Sequence, residues 1–186
     1  MSTVLPGQAA NAQVSTASAE GRYCVSVLGK APAAGQDSPE LYRYCQDTPF
    51  DTEAYVKGAT AQSQLRRSFA ARGASAKEAA VQARSVNLHI LRAWSDADFN
   101  GNFWDYYAQD ADGHCDSAGY SWRPDDWWST HLSSLQRGWN SYCNRVTLFD
   151  RAGSHSDTWD MDLSYVMARY NDNVARLQIF NGNGHP

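Results

Sequence analysis

The sequence has no excess of positive charge: 16 Lys and Arg stand against 20 Asp and Glu, a formal net charge of -4 over 186 residues. No chain-wide basic field therefore exists to draw in a nucleic acid or an anionic membrane. Nor does any apolar run approach the roughly 20 residues that a spanning helix needs, which argues against membrane insertion by that route. Cysteine is sparse, four residues with neither a CxxC pair nor histidines at zinc-finger spacing, and this argues against a structural zinc site. His89, His114, His131, His155 and His185 show no HExxH spacing, and neither a GxSxG nucleophile elbow nor a P-loop occurs. Asp125 and Asp126 are adjacent, so their carboxylates point apart, and no second pair stands at glycosidase spacing. The expectation is a protein without catalytic residues.

What is present points outside the cytosol. Four cysteines allow three connectivities, and sequence neighbourhood favours Cys24 with Cys45 and Cys115 with Cys143. Each bridge would be worth about 3 kcal/mol and persists in an oxidising compartment, so a secreted protein is expected. Residues 1–21 lack the basic and apolar regions of a signal peptide and read as a flexible mature N-terminus left after removal of a leader. Charge is distributed unevenly: Asp96, Asp98, Asp105, Asp110, Asp112, Asp116, Asp125 and Asp126 face one base, Arg123, in their stretch, whereas Arg66, Arg67, Arg72, Lys77 and Arg84 lie upstream. Two solvated faces are the simpler reading, docking of one half on the other the alternative.

Along the chain, residues 22–85 read as a disulfide-pinned and helical extension. Arg22 to Leu28 is strand-like and returns through a Pro/Gly/Ala loop to Leu41 and Cys45, as a hairpin or clasp. Asp51 can cap a helix with Tyr55, Val56, Ala59, Leu65 and Phe69 near one face, weakened by Gly58 and stopped at Gly73. Ser75 and Glu78 have capping-box spacing ahead of a second helix ending at Arg84. From Val86 the period becomes two: Val86, Leu88 and Ile90, then Val146 and Leu148, then Leu177 and Ile179. Seven tryptophans, ten tyrosines and many turn residues suit a mainly β sandwich over 86–186.

The stretch Leu91 to Tyr107, LRAWSDADFNGNFWDYY, resembles the opening of a βγ-crystallin Greek key, with Trp94 as the aromatic and Gly101 as the glycine of its folded-over hairpin. Glycine suits a backbone that turns with positive φ beneath a ring. THLSSLQ around Ser133 and Ser134 would close this key. Val146 to Phe149 would open a second, in which Ser156 replaces the glycine, and NDNVARLQIF from Asn171 to Phe180 would close it. The run Asp96 to Asn102 is similar to an EF-hand loop, but Tyr107 stands where the twelfth-position glutamate belongs, so it reads as a hairpin tip. The resemblance implies a two-Greek-key βγ-crystallin-like sandwich with an N-terminal helical extension. The Cys115 to Cys143 spacing and its tryptophans also resemble a secreted bacterial metalloproteinase-inhibitor family.

That resemblance implies sites. Crystallin-type closings hold calcium between two keys, and here the first closing keeps its hydroxyls while the second keeps its Asn/Asp pair. The implied set is Ser133 Oγ, the His131 carbonyl and Asp172, beside Asn171: at most one weak calcium site. The other set fails, with Ala175 and Arg176 replacing hydroxyls. The binding loop lies between Cys115 and Cys143 and carries Tyr120, Trp122, Arg123, Trp127 and Trp128, with Trp139 and Tyr142, at least half of these rings being expected to fill the core. The expected function is extracellular, non-enzymatic binding of the peptidase-inhibitor kind, with an extracellular protease as partner. A carbohydrate or cell-surface binding module for a surface glycan, or a structural stress-associated crystallin-like protein, are the alternatives.

Overall fold

The computed structural model describes residues 22–32, 36–109, 115–139 and 142–182. The N-terminal stretch 1–21, together with Asp110, Asp112, His114 and His185, lies outside the described residues.

Strand β1 (Tyr23–Leu28) is buried from Cys24 onward, on both faces. Val25 and Val27 enter a helical core and Cys24 and Leu28 the sandwich core, which explains a near-continuous apolar run where a half-exposed strand would alternate. β2 (Glu40–Gln46) runs antiparallel to it with Cys24 opposite Cys45, the pair that forms the first disulfide.

Helix α1 (Thr52–Lys57) starts where Asp51 accepts the Ala54 N–H at 2.9 Å. The single helix expected from the sequence is in fact two. Gly58 is extended at φ -71, ψ 157, ends α1 and caps α2 (Ala59–Ala71). The break re-phases the apolar face, so Ala59 is exposed and Ala61, Leu65 and Phe69 are buried. Gly73, at φ 93, stands past the end of α2. The capping box of Ser75 and Glu78 then opens α3 (Ala76–Arg84) with both reciprocal bonds made.

After α3 come β3 (Val86–Asp96), β4 (Asn100–Gln109), β5 (Tyr120–Trp122), the short α4 (Asp126–Ser129), β6 (Ser134–Arg137), β7 (Arg145–Asp150), β8 (Ser156–Asp160), α5 (Met167–Tyr170) and β9 (Val174–Phe180). Among the described residues they form two sheets, ordered β2-β1-β4-β3-β6 and β5-β9-β7-β8. The third strand of each key crosses to the other sheet. β5 leaves the first key to pair with β9, and the segment around Leu163 leaves the second key to bridge Leu135 beside β6. The fold is thus mainly β, a two-Greek-key sandwich of βγ-crystallin type, with helices added.

The N-terminal hairpin joins both sheets. β1 pairs in parallel with β4 and extends the first sheet. Ser38, in the loop returning to β2, donates its N–H to Ser121 O and accepts the Ser121 N–H through Oγ, covering the β5 edge of the second. The two hairpins of the keys differ. Gly101 has φ 82, and a Cβ there would lie 2.5 Å from Ser95 Oγ, so the folded-over tip demands glycine. In the second key Ser156 already belongs to β8 and the positive φ sits earlier, at Gly153. That turn is held instead by Asp150, whose carboxylate accepts N–H groups from Ser154 and His155 and the Ser154 hydroxyl.

Candidate functional site

The closing turns of the two keys meet. Ser129 Oγ donates to Val174 O at 2.8 Å, and the Asp172 N–H donates to Leu132 O at 3.2 Å, so each turn is bonded into the other. Asp172 takes φ 58, and one of its carboxylate oxygens accepts Asn171 Nδ2 at 2.9 Å. Asn171 therefore orients the carboxylate. Ser133 is buried, with its carbonyl accepting the Val166 N–H. His131 lies stacked on Trp127, ring centroids 4.1 Å apart, with Nδ1 2.7 Å from Trp127 O. The Asp172 carboxylate, the Ser133 hydroxyl and the His131 carbonyl are hard oxygen donors, the kind that Ca²⁺ takes. The opposite half has less to offer. Thr130 Oγ1 donates back to Asp126 O and Trp127 O, and Ala175 has no donor oxygen on its side chain. Ser134 is fully buried and structural: its hydroxyl donates to Asp96 O at 2.7 Å and accepts the Phe99 N–H at 3.1 Å, pinning the first hairpin tip. No group of three or more His, Cys, Asp or Glu side chains among the described residues is arranged to hold a metal ion.

The aromatic residues of the 115–143 loop separate by burial. Tyr120, Trp122 and Trp128 fill the sandwich core, packed with Trp104 and Tyr106. Trp128 follows from its position in α4, where Asp125 accepts its N–H at 3.0 Å and turns the ring inward. Trp127 is half-buried beneath Arg22 and beside His131. Arg123 is exposed and pairs with Asp37 at 3.0 Å. The rings that this loop presents to solvent are Trp139 and Tyr142, 57% and 66% exposed. The loop is tied at its ends by the Cys115–Cys143 disulfide.

Beneath Trp139 lies a constellation that residue spacing did not reveal. Asp105 is fully buried on the outer face of the first sheet and is held by three side chains from two elements, β3 and α1. Arg92 on β3 forks onto both of its oxygens, His89 Nε2 stands 2.9 Å from Oδ1, and Thr52 at the start of α1 donates its hydroxyl to Oδ2. Burial pushes the Asp105 carboxyl up, but the bonds and charges of Arg92 and His89 outweigh it and hold the group below the usual carboxylate range. The carboxylate is then an acceptor only, which fixes the proton of His89 on Nε2; Nδ1 is buried with no partner among the described residues. Burial raises the Tyr107 phenol well beyond its ordinary range, so it stays neutral beside this group. The imidazole is packed against Tyr107 on one side and against Trp139 at 4.0 Å on the other. The available signal was a single carboxylate inside the aromatic run Phe103 to Tyr107.

No protein-family model matches the chain, and no curated protein matches it. Among solved structures it is similar to a βγ-crystallin domain from Clostridium beijerinckii, both as a single mutant (13% identity, TM-score 0.34, 50% of this chain and 98% of that one) and as a double mutant (14%, 0.34, 50% and 97%). A βγ-crystallin domain from Flavobacterium johnsoniae is similar at 15% identity and TM-score 0.34, over 50% of this chain and 97% of that one. Likeness at that level carries no weight for function, and the crystallin-type assignment rests on the strand order and the exchanged third strands. The narrower resemblance to metalloproteinase inhibitors gains no support from these relatives.

Proposed function

We propose that the chain is a non-catalytic binding protein that acts outside the cytosol and engages its partner through the disulfide-tethered loop bearing Trp139 and Tyr142. The observation that carries this reading is Trp139: a large ring, mostly exposed, seated on an imidazole that a buried carboxylate holds in place. A ring fixed before contact loses little freedom on binding, and exposed tryptophan is among the residues that dominate interface energies. Two disulfides that tie down a hairpin and this loop favour an oxidising compartment. Within that reading an extracellular peptidase is the first partner to test. Thermolysin-type activity should fall at micromolar protein, and Trp139→Ala should restore it by at least tenfold in inhibitor concentration. Unchanged peptidase activity rejects inhibition, and retention on chitin or peptidoglycan that is lost in Trp139→Ala would assign the loop to glycans instead.

The closing-turn junction is proposed as at most one weak calcium site, formed by Ser133 Oγ, the His131 carbonyl and Asp172 with Asn171 behind it. With a single carboxylate its dissociation constant should be on the order of 10⁻⁴ to 10⁻³ M. Calorimetry at millimolar calcium should show heat that Asp172→Ala abolishes; silence in the parent chain rejects the site.

A further inference from the structure

The helical layer has a charge pattern that the sandwich does not share. Arg66 and Arg67 on α2, Arg72 at its end, and Lys77 and Arg84 on α3 are all exposed, and none is in an ion pair with a described residue. Apart from Arg22 and Arg151, every other Lys and Arg among the described residues is paired with a carboxylate, including Lys30 with Asp116 and Arg43 with Asp125 across the two halves of the chain. The only acid on this helical hairpin is Glu78, and its carboxylate is committed to the Ser75 N–H in the capping box.

Helix geometry gathers these cations on the outside. The inward faces are Ala61, Leu65 and Phe69 on α2 and Ala79 and Ala83 on α3. Arg67 falls opposite the first set. Lys77, Val81 and Arg84, spaced four and then three residues apart, form one stripe opposite the second. α2 and α3 pack against each other, so these outward stripes lie on neighbouring helices of a protein whose formal net charge is -4. Several unpaired cations on one outward face attract an approaching polyanion more strongly than the isolated Arg22 and Arg151 do.

We propose that the outward face of the α2–α3 hairpin is a docking surface for an acidic polysaccharide, separate from the loop at Trp139. Charge complementarity favours a polymer of repeating anionic groups, whose condensed counterions are released when several cations bind it at once. A lipid surface fits less well, because Val81, 61% exposed, is the one large apolar side chain on the stripe, and an interfacial helix needs a broad apolar face. Single-stranded nucleic acid fits less well too, because the aromatic ring of these helices, Phe69, points inward and leaves no stacking platform. The preference for a polysaccharide over duplex nucleic acid rests on the extracellular placement proposed above.

The test uses the full chain on dextran sulfate, neutral dextran, duplex DNA and vesicles containing phosphatidylglycerol. The expected result is retention on dextran sulfate at low salt, release as salt rises, and no retention on neutral dextran. The triple variant Arg67→Glu, Lys77→Glu, Arg84→Glu should bind at least about tenfold more weakly, as loss of several ionic contacts requires. Arg151→Glu, an exposed cation on the β7–β8 turn, and Trp139→Ala should both bind as the parent does, which separates this surface from the loop. Unchanged melting of the triple variant shows that the fold is kept. Equal retention of the triple variant, absence of retention at low salt, or tighter binding to DNA or vesicles than to dextran sulfate would each overturn the proposal.

Discussion

Asp105 shows how a single residue couples the parts of this molecule. Its carboxylate is fully buried and is satisfied from α1, β3 and the imidazole under Trp139, so removing its charge leaves Arg92 and His89 turned toward a group that no longer balances them. Breaking a buried pair in this way costs about 3–5 kcal/mol. Asp105→Asn should lower the urea midpoint accordingly, and the same change should raise the mobility of Trp139 as read by its fluorescence anisotropy in a chain with the other tryptophans replaced where tolerated. Asp150 makes stability depend on pH. Burial raises its carboxyl, but the N–H groups of His155 and Ser154 and the Ser154 hydroxyl pull it down to about 2. A carboxyl depressed in the folded state contributes stability that is present above its unfolded value of about 4 and is lost as pH falls through about 2. The stability difference between the parent and Asp150→Asn should accordingly be full at pH 6 and shrink as pH falls toward 2, as followed by melting temperature.

At the scale of the element, the two hairpins at the keys' openings solve the same problem differently. The first turns over on Gly101, where a methyl group would meet Ser95 Oγ at 2.5 Å and the Asp96 carboxylate at 2.6 Å, in a backbone with φ 82. The second places Gly153 at φ 68 in open space. Gly153→Ala should cost only the left-handed penalty, roughly 1–2 kcal/mol. Gly101→Ala should cost more than that, because the tip must also move, and denaturant unfolding of both variants compares them directly. The helix caps, the β alternation and the glycine of the first hairpin were legible in the sequence because each depends on neighbours within about a turn. The break at Gly58 was visible as a weakness but not as a boundary, since whether a glycine bends or ends a helix depends on what the following turn packs against.

For the whole molecule, the N-terminal hairpin and helices complete the sandwich. β1 covers the edge of β4, the Ser38 loop covers the edge of β5, and Val25, Val27, Leu65 and Phe69 form with Val86 and Tyr107 a second apolar core on the outer face of the first sheet. A chain beginning at residue 86 would expose that face and the β4 edge, and would strip Thr52 from Asp105. It should associate or aggregate where the full chain does not, which size-exclusion chromatography would show; a monomeric, cooperatively melting fragment would mean that the later half needs no such cover.

Local chemistry decided a good deal of this protein from sequence alone: where Asp51 and Ser75 cap helices, which cysteines lie near enough to join, and that the later half alternates as a sandwich must. Those features follow from short-range sterics, capping and periodicity. Only the tertiary structure decided that β1 runs parallel to β4, that Tyr120, Trp122 and Trp128 turn inward while Trp139 stays out, and that Asp105 gathers partners from residues 52, 89 and 92. An aromatic ring suits a core and a surface equally well by composition. Which one it occupies is set by the layers that fold over it from distant parts of the chain.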